Sequence, residues 1–212
     1  MQFRRLPPLV AALLIAAASA TVWPPVALAQ PAAEPPGEAD DLADGESPSL
    51  PDDREARLDA LHERLASGED DRHERWEREI RKLWSRSGSD TADLLLRRGR
   101  EAMQAEELGK AVQHFGALVE HRPDFAEGWH SRATAFYAMD ELGLALGDLE
   151  RALALEPRHF GALQGLGVIL ERIGREEDAL DAYHAAHALN PHMERVEEAI
   201  ERLAPKVEGR DA

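Results

Sequence analysis

Cysteine is absent from the 212 residues. Disulfides, thiolate zinc sites, iron–sulfur clusters and a cysteine-linked lipid anchor are therefore closed to this chain. Aromatic residues are scarce, at 5%, which argues against a sandwich or barrel core. Positive charge is also short: 25 Lys and Arg stand against 41 Asp and Glu, a formal charge of −16. Such an anion repels phosphate backbones and anionic membrane surfaces, so nucleic acid is not an expected partner. Nor is there an apolar run long enough for an ordinary membrane span. The stretch from Leu9 to Trp23 ends at Pro24 and Pro25, short of the roughly 20 residues a bilayer requires.

That stretch fits a different role. "MQFRRLPPLVAALLIAAASATVWPPVALAQP" opens with Arg4 and Arg5, continues through an apolar run from Leu9 to Ala18, and closes on Ala27-Leu28-Ala29. Positive start, apolar middle and small-residue end are the three parts of a secretory signal. Residues 1–29 are accordingly expected to be a cleaved signal peptide, cut after Ala29, which implies a periplasmic protein with no membrane attachment after cleavage. "FRRLPP" matches the twin-arginine route poorly, so general secretion is the expectation. Removing Arg4 and Arg5 would leave the chain more acidic still. Residues 30–51 carry five prolines, six acids and no base. They cannot bury enough apolar area to offset their ordering entropy, and read as a disordered acidic linker.

Beyond residue 90 the sequence repeats itself. Pro123, Pro157 and Pro191 are spaced 34 residues apart, and three windows align in the same phase: 92–123, 126–157 and 160–191. Each window shows two amphipathic helical patterns joined by a polar or glycine-bearing turn, read at Gly109, Asp140-Glu141 and Gly174-Arg175. In the middle copy Trp129, Ala133, Phe136 and Tyr137 share one face of the first helix. Ala145, Leu149 and Ala152 share a face of the second. Gly99, Ala133 and Gly167 recur where helices must approach closely, as do Ala111, Ala145 and Ala179; a larger side chain there would push the pair apart. Phe115, Leu149 and Tyr183 are the large partners across that gap. Each proline punctuates a copy, because it cannot continue a helix.

At these residues the sequence resembles the tetratricopeptide repeat family. The bulky first-helix position of the family is Leu95, Trp129 and Leu163; the small one is Gly99, Ala133 and Gly167. The position one turn on is Ala102, Phe136 and Leu170. The second-helix trio maps to Ala111/Phe115/Leu118, Ala145/Leu149/Ala152 and Ala179/Tyr183/Ala186, so the first copy departs most from the pattern. The resemblance implies an all-α architecture: an α-solenoid of three helical hairpins stacked into a right-handed superhelix, with a groove lined by the first helices. Stacking is also what the physics asks, since one hairpin cannot hide its own apolar face.

Both ends of the block carry further helix. After the last repeat, Met193, Val196, Ile200 and Leu203 form one stripe, read as a capping helix over 192–204 that closes a repeat domain of 90–205. Residues 206–212 read as a disordered tail. Upstream, residues 52–89 read as an N-terminal helical pair. Leu58, Leu61 and Leu65 line one helix and Trp76, Ile80, Leu83 and Trp84 the other. The expected arrangement is a degenerate hairpin packed on the first repeat, with a coiled-coil arm as the alternative. As a whole the chain resembles small exported repeat proteins of Gram-negative bacteria.

Chemistry is hard to find. His184 and His187, three apart and near His192, have metal-like spacing but lack a well-placed carboxylate. "LHERL" and "RHERW" lack the second histidine of a zinc-protease helix. "GLGVIL" lacks the third glycine of a dinucleotide loop and no strand precedes it. No carboxylate pair stands out as a general acid and base. The expectation is no enzyme, no metal and no cofactor. The remaining candidate is the groove, whose lining by helix phase and by resemblance includes Arg97, Arg100, His130, Thr134, Tyr137, Gln164, Val168 and Arg172. Its arginines suit carboxylates on a protein or peptide segment. Family members that grip a C-terminal carboxylate place lysine and asparagine where Arg100 and Thr134 stand, so that specificity is not implied. The leading expectation is an exported scaffold or assembly adaptor. An accessory subunit of a cell-envelope enzyme, bound through the leader helices, is the alternative.

Overall fold

The 34-residue period reappears in the backbone itself. A computed structural model describes residues 51–67 and 72–209; the expected signal peptide, all but the last residue of the expected linker, and residues 210–212 lie outside the described residues. Among the described residues nine helices run α1 (Pro51–Ala66), α2 (His73–Trp84), α3 (Asp90–Gln104), α4 (Leu108–His121), α5 (Ala126–Ala138), α6 (Leu142–Leu155), α7 (Phe160–Arg172), α8 (Glu176–Leu189) and α9 (Glu194–Glu208). Among the described residues there is no strand, and no helix is long and apolar enough to cross a membrane. Helices α4, α6 and α8 begin and end 34 residues apart, and so do α5 and α7. The pairs α3–α4, α5–α6 and α7–α8 form three antiparallel hairpins, each packed on the next, with α9 closing the last.

Why the hairpins close so tightly follows from their glycines. A side-chain carbon on Gly99 would clash with the Phe115 ring, and one on Gly167 would sit 2.5 Å from the Tyr183 ring. Removing Cβ thus lets an aromatic ring of the second helix lie flat on the backbone of the first. Ala133 and Leu149 share the core of the middle hairpin with Ala145 and Ala152. A bidentate ion pair adds to it: Arg132 donates to both Asp148 oxygens at 2.7 Å. Trp129 is only half-buried. Its Nε1 donates to the Pro123 carbonyl, and the Arg132 guanidinium lies over its ring at 4.9 Å. Ala102 and Leu118, the departures of the first repeat, are buried beside Phe115.

The turns within the repeats correct one reading. Positive φ falls on Glu106, Asp140 and Gly174, again 34 apart, and each precedes an amide that reaches back to Ala102, Phe136 or Leu170. This is a Schellman end, which favours glycine at the left-handed residue. Only the third copy supplies one. Gly109 is inside α4, not in the turn, because the closing bond places the reversal three residues earlier.

Two boundaries also move. Pro51 opens α1 rather than ending the linker; its fixed φ suits a first helical position. Pro205 lies inside α9, which continues to Glu208. A proline so near the end forfeits little of the helix ladder, and the extra turn gives Val207 the terminal core to pack against.

The N-terminal hairpin is where the architecture departs from expectation. It does not stack on the face of the first repeat as a further repeat. It lies along the turns that join successive repeats. Beside the first such turn, Arg122 donates to the Ser87 carbonyl at 2.8 Å. At the second, Trp84 stacks on His159 at 4.2 Å and meets Phe160 at 4.9 Å, and Arg158 pairs with Asp59. At the third, Asn190 donates to Glu77 and His73 stacks on His192 at 3.9 Å. Leu58, Leu61, Leu65, Trp76, Ile80 and Leu83 complete a core that shares Phe160 with the repeats. The physical reason is placement: α2 has no alanine or glycine, the alanines of α1 are exposed, and the buried positions carry instead large apolar and stacking side chains that suit a line of turns.

Candidate functional site

The first helices of the second and third repeats leave a recess between them. It has a volume of about 410 Å³ and is lined by His130, Thr134 and Tyr137 from α5 and by Gln164 and Val168 from α7. Ala133, Leu149, Ile169 and Tyr183 provide an apolar floor, and Arg195 of α9 stands at the edge. Gly161 and Gly165 keep the α7 side low. Five of the eight groove residues expected from helix phase therefore meet in one recess. Arg97 and Arg100 instead line a separate depression on α3, with Asp93 and Glu101. Arg172 pairs with Asp140 at 2.6 Å and lies over the Tyr137 ring at 5.7 Å, which fixes that ring at the rim. Arg195 escaped sequence reasoning because α9 lies outside the repeat pattern; only its place on the polar side of the stripe hinted at exposure.

Behind the recess lies a buried polar cluster that the sequence did not disclose. Glu127 of α5 is only 9% exposed and His159, the residue before α7, only 1%. The Ala162 amide donates to His159 Nδ1 at 3.1 Å, so His159 caps α7 and its proton resides on Nε2. That Nε2–H donates to Glu127 at 3.0 Å. Arg100 donates to the other Glu127 oxygen at 2.5 Å, and the His130 ring stands 4.4 Å from that of His159. Burial opposes the charge on Glu127, but the His130 and His159 rings that face it prevail and hold its carboxyl well below the ordinary value. Burial, reinforced by His130, pushes His159 below its ordinary value, so it stays neutral.

Glu127, His130 and His159 bring ligand atoms within 4.8 Å of one another, close enough to raise the question of a metal. The donor chemistry answers against it. Coordination through His159 Nε2 would move its proton to Nδ1, where the Ala162 amide already points, and would break the helix cap. Arg100 would also remain as a cation on the same carboxylate. The cluster is better matched to holding α3, α5 and α7 together. His184 is exposed on α8, and His192 is engaged with His73, so the histidines that attracted attention in the sequence do not converge.

No family model matches the chain. It is, however, 33% identical over 154 residues to a TPR repeat-containing protein of Rhizobium etli, across 72% of this chain and 76% of that protein. The chain belongs to the tetratricopeptide repeat (TPR) family. The match is longer than everything from Ala92 to the C-terminus, so it reaches back into the N-terminal hairpin. Similarity to the small glutamine-rich tetratricopeptide repeat-containing protein 2 of Mycosarcoma maydis is more local: 29% identity over 103 residues, covering 49% of this chain and 29% of that protein. Among solved structures, the first TPR of Spaghetti (RPAP3) bound to an HSP90 peptide superposes with a TM-score of 0.55. It has 18% identity and covers 56% of this chain and 94% of the other, a likeness of fold.

Proposed function

We propose that this TPR protein is an exported, non-enzymatic interaction module that holds an extended, carboxylate-bearing protein segment in the recess between α5, α7 and α9. The observation that carries this reading is the recess itself. An apolar floor meets a few fixed polar groups, His130, Thr134, Gln164 and Arg195, the usual make-up of a selective pocket. On a chain of net charge −16, the Arg195 guanidinium at the edge of the recess favours an acidic rather than a basic segment there. The R. etli relative supports the assignment to a repeat protein; the HSP90 peptide belongs to the Spaghetti structure alone. The three-part leader supports export, and on that reading the partner is periplasmic.

Site-specific photocrosslinking in intact cells tests the proposal. A photoreactive residue at Tyr137 or Gln164 is expected to capture a discrete partner, and Arg195→Glu to abolish capture without changing the thermal midpoint. Capture only from the exposed face of α2, at Arg78, would favour the accessory-subunit reading and overturn the groove. N-terminal sequencing of the mature chain, expected to begin at Gln30, checks the export step separately.

A further inference from the structure

Histidines gather where the N-terminal hairpin meets the repeats. Of the nine in the chain, His62, His73, His159 and His192 lie on that seam, and His130 lies directly behind it. His62 of α1 is 5% exposed, neither of its ring nitrogens has a hydrogen-bond partner among the described residues, and its ring faces Trp84 and Phe160. His159 lies under Trp84 with the planes 13° apart. His73 and His192 stack ring on ring from opposite sides of the seam.

We propose that this seam is a proton-operated latch, in which protonation of His62 and His159 releases the α1–α2 hairpin from a repeat stack that remains folded. The inference does not depend on what fills the groove. A second proton on His159 must go to Nδ1, where it would oppose the Ala162 amide that the nitrogen now accepts. A proton on His62 would be buried among rings with no acceptor.

The surrounding charges set the balance. His159 is faced by Glu127 and His130 from α5, by Glu156 of its own turn, and by Arg100 of α3 through Glu127. His62 is faced by Arg158, Glu156 and His159 from the repeats and by Asp59 of its own helix. Arg81 of α2 lies over Phe160 beside them, and Glu77 of α2 lies near His192. The carboxylates favour the proton, while burial and the cations oppose it; burial has the larger effect at both His62 and His159, which stay below their ordinary values. The latch is therefore closed at neutral pH and opens on acidification.

The absence of cysteine permits a direct test on the full chain. Spin labels on Arg78→Cys of α2 and Ala185→Cys of α8, both exposed, report the distance across the seam. Between about pH 7.5 and about pH 5, the span in which histidines change charge, the docked distance is expected to be lost while far-ultraviolet helicity is retained. His159→Asn retains an acceptor for the Ala162 amide and His62→Leu retains an apolar filler; the double variant is expected to remain docked at the lower pH. A distance that persists to about pH 5, helices that melt in the same step, or a double variant that opens like wild type would each overturn the latch. If the double variant folds poorly, the wild-type titration alone still decides.

Discussion

The repeats and the N-terminal hairpin are both helical pairs, yet they are held by different physics. In the repeats, cohesion comes from fit: Phe115 and Tyr183 lie on glycine backbone where no Cβ could stand, and Ala133 with Leu149 fills the same place in the middle repeat. The hairpin is attached by stacked rings, an ion pair and a single polar bond at the second and third turns, and the segment that follows α2 meets the first. Fit of the first kind is lost all at once when one residue changes. Attachment of the second kind can be released at one end while the repeats stay formed. The comparison teaches that within one chain a rigid scaffold and a detachable strap differ in residue size and polarity rather than in secondary structure.

The sharpest way to break the scaffold side is Phe115→Ala. Phe115 is 1% exposed, and its removal is expected to cost about 3–5 kcal/mol in urea unfolding. Gly167→Ala comes next. The added methyl group gains about 1 kcal/mol of helix propensity, but it must displace the Tyr183 ring, leaving a net loss of roughly 1–3 kcal/mol; a stabilised variant would show that the ring has room to move. On the strap side, Trp84→Ala is expected to accelerate hydrogen exchange in α1 and α2 by about tenfold or more, with little change in α3 and α4. Equal acceleration everywhere would mean that the hairpin and repeats open as one unit. The smallest effect belongs to the turns: Glu106→Gly should stabilise by about 0.5–1 kcal/mol, by relieving a left-handed residue that Gly174 already accommodates.

Acidity sharpens the same comparison. His62 and His159 are held neutral by burial in the folded chain, whereas in the unfolded chain they protonate near the ordinary value of 6.5. Below that value the unfolded state binds more protons, so stability is full above it and declines as pH falls toward the depressed folded values. Replacing both histidines with non-titrating residues should flatten that limb of the stability curve.

Legibility followed repetition. Gly99, Ala133 and Gly167, the alanine rows and the three prolines announced helical hairpins because the same geometric demand was met three times in one phase. Five groove residues met in one recess for a similar reason, since they share one face of helices whose phase the repeat establishes. Arg195 did not belong to that pattern, and Arg97 and Arg100 were separated from the recess by the path of the stack. The buried cluster was hidden for a deeper reason. Glu127 and His130 share a helix face, but their partner His159 has Phe125 and Met193 as its counterparts in the neighbouring copies, so no period flags the cluster.

From its residues alone this chain specifies helices, their 34-residue period, the hairpin pairs and the side of each helix that turns inward, because those depend on local propensity and on apolar spacing along the chain. Where the N-terminal hairpin settles, that His159 becomes a cap and a bond to Glu127, and that a cation from α9 reaches the recess are matters of folding. Each joins residues from distant parts of the chain, and their partnership exists only after the stack has brought the turns into line.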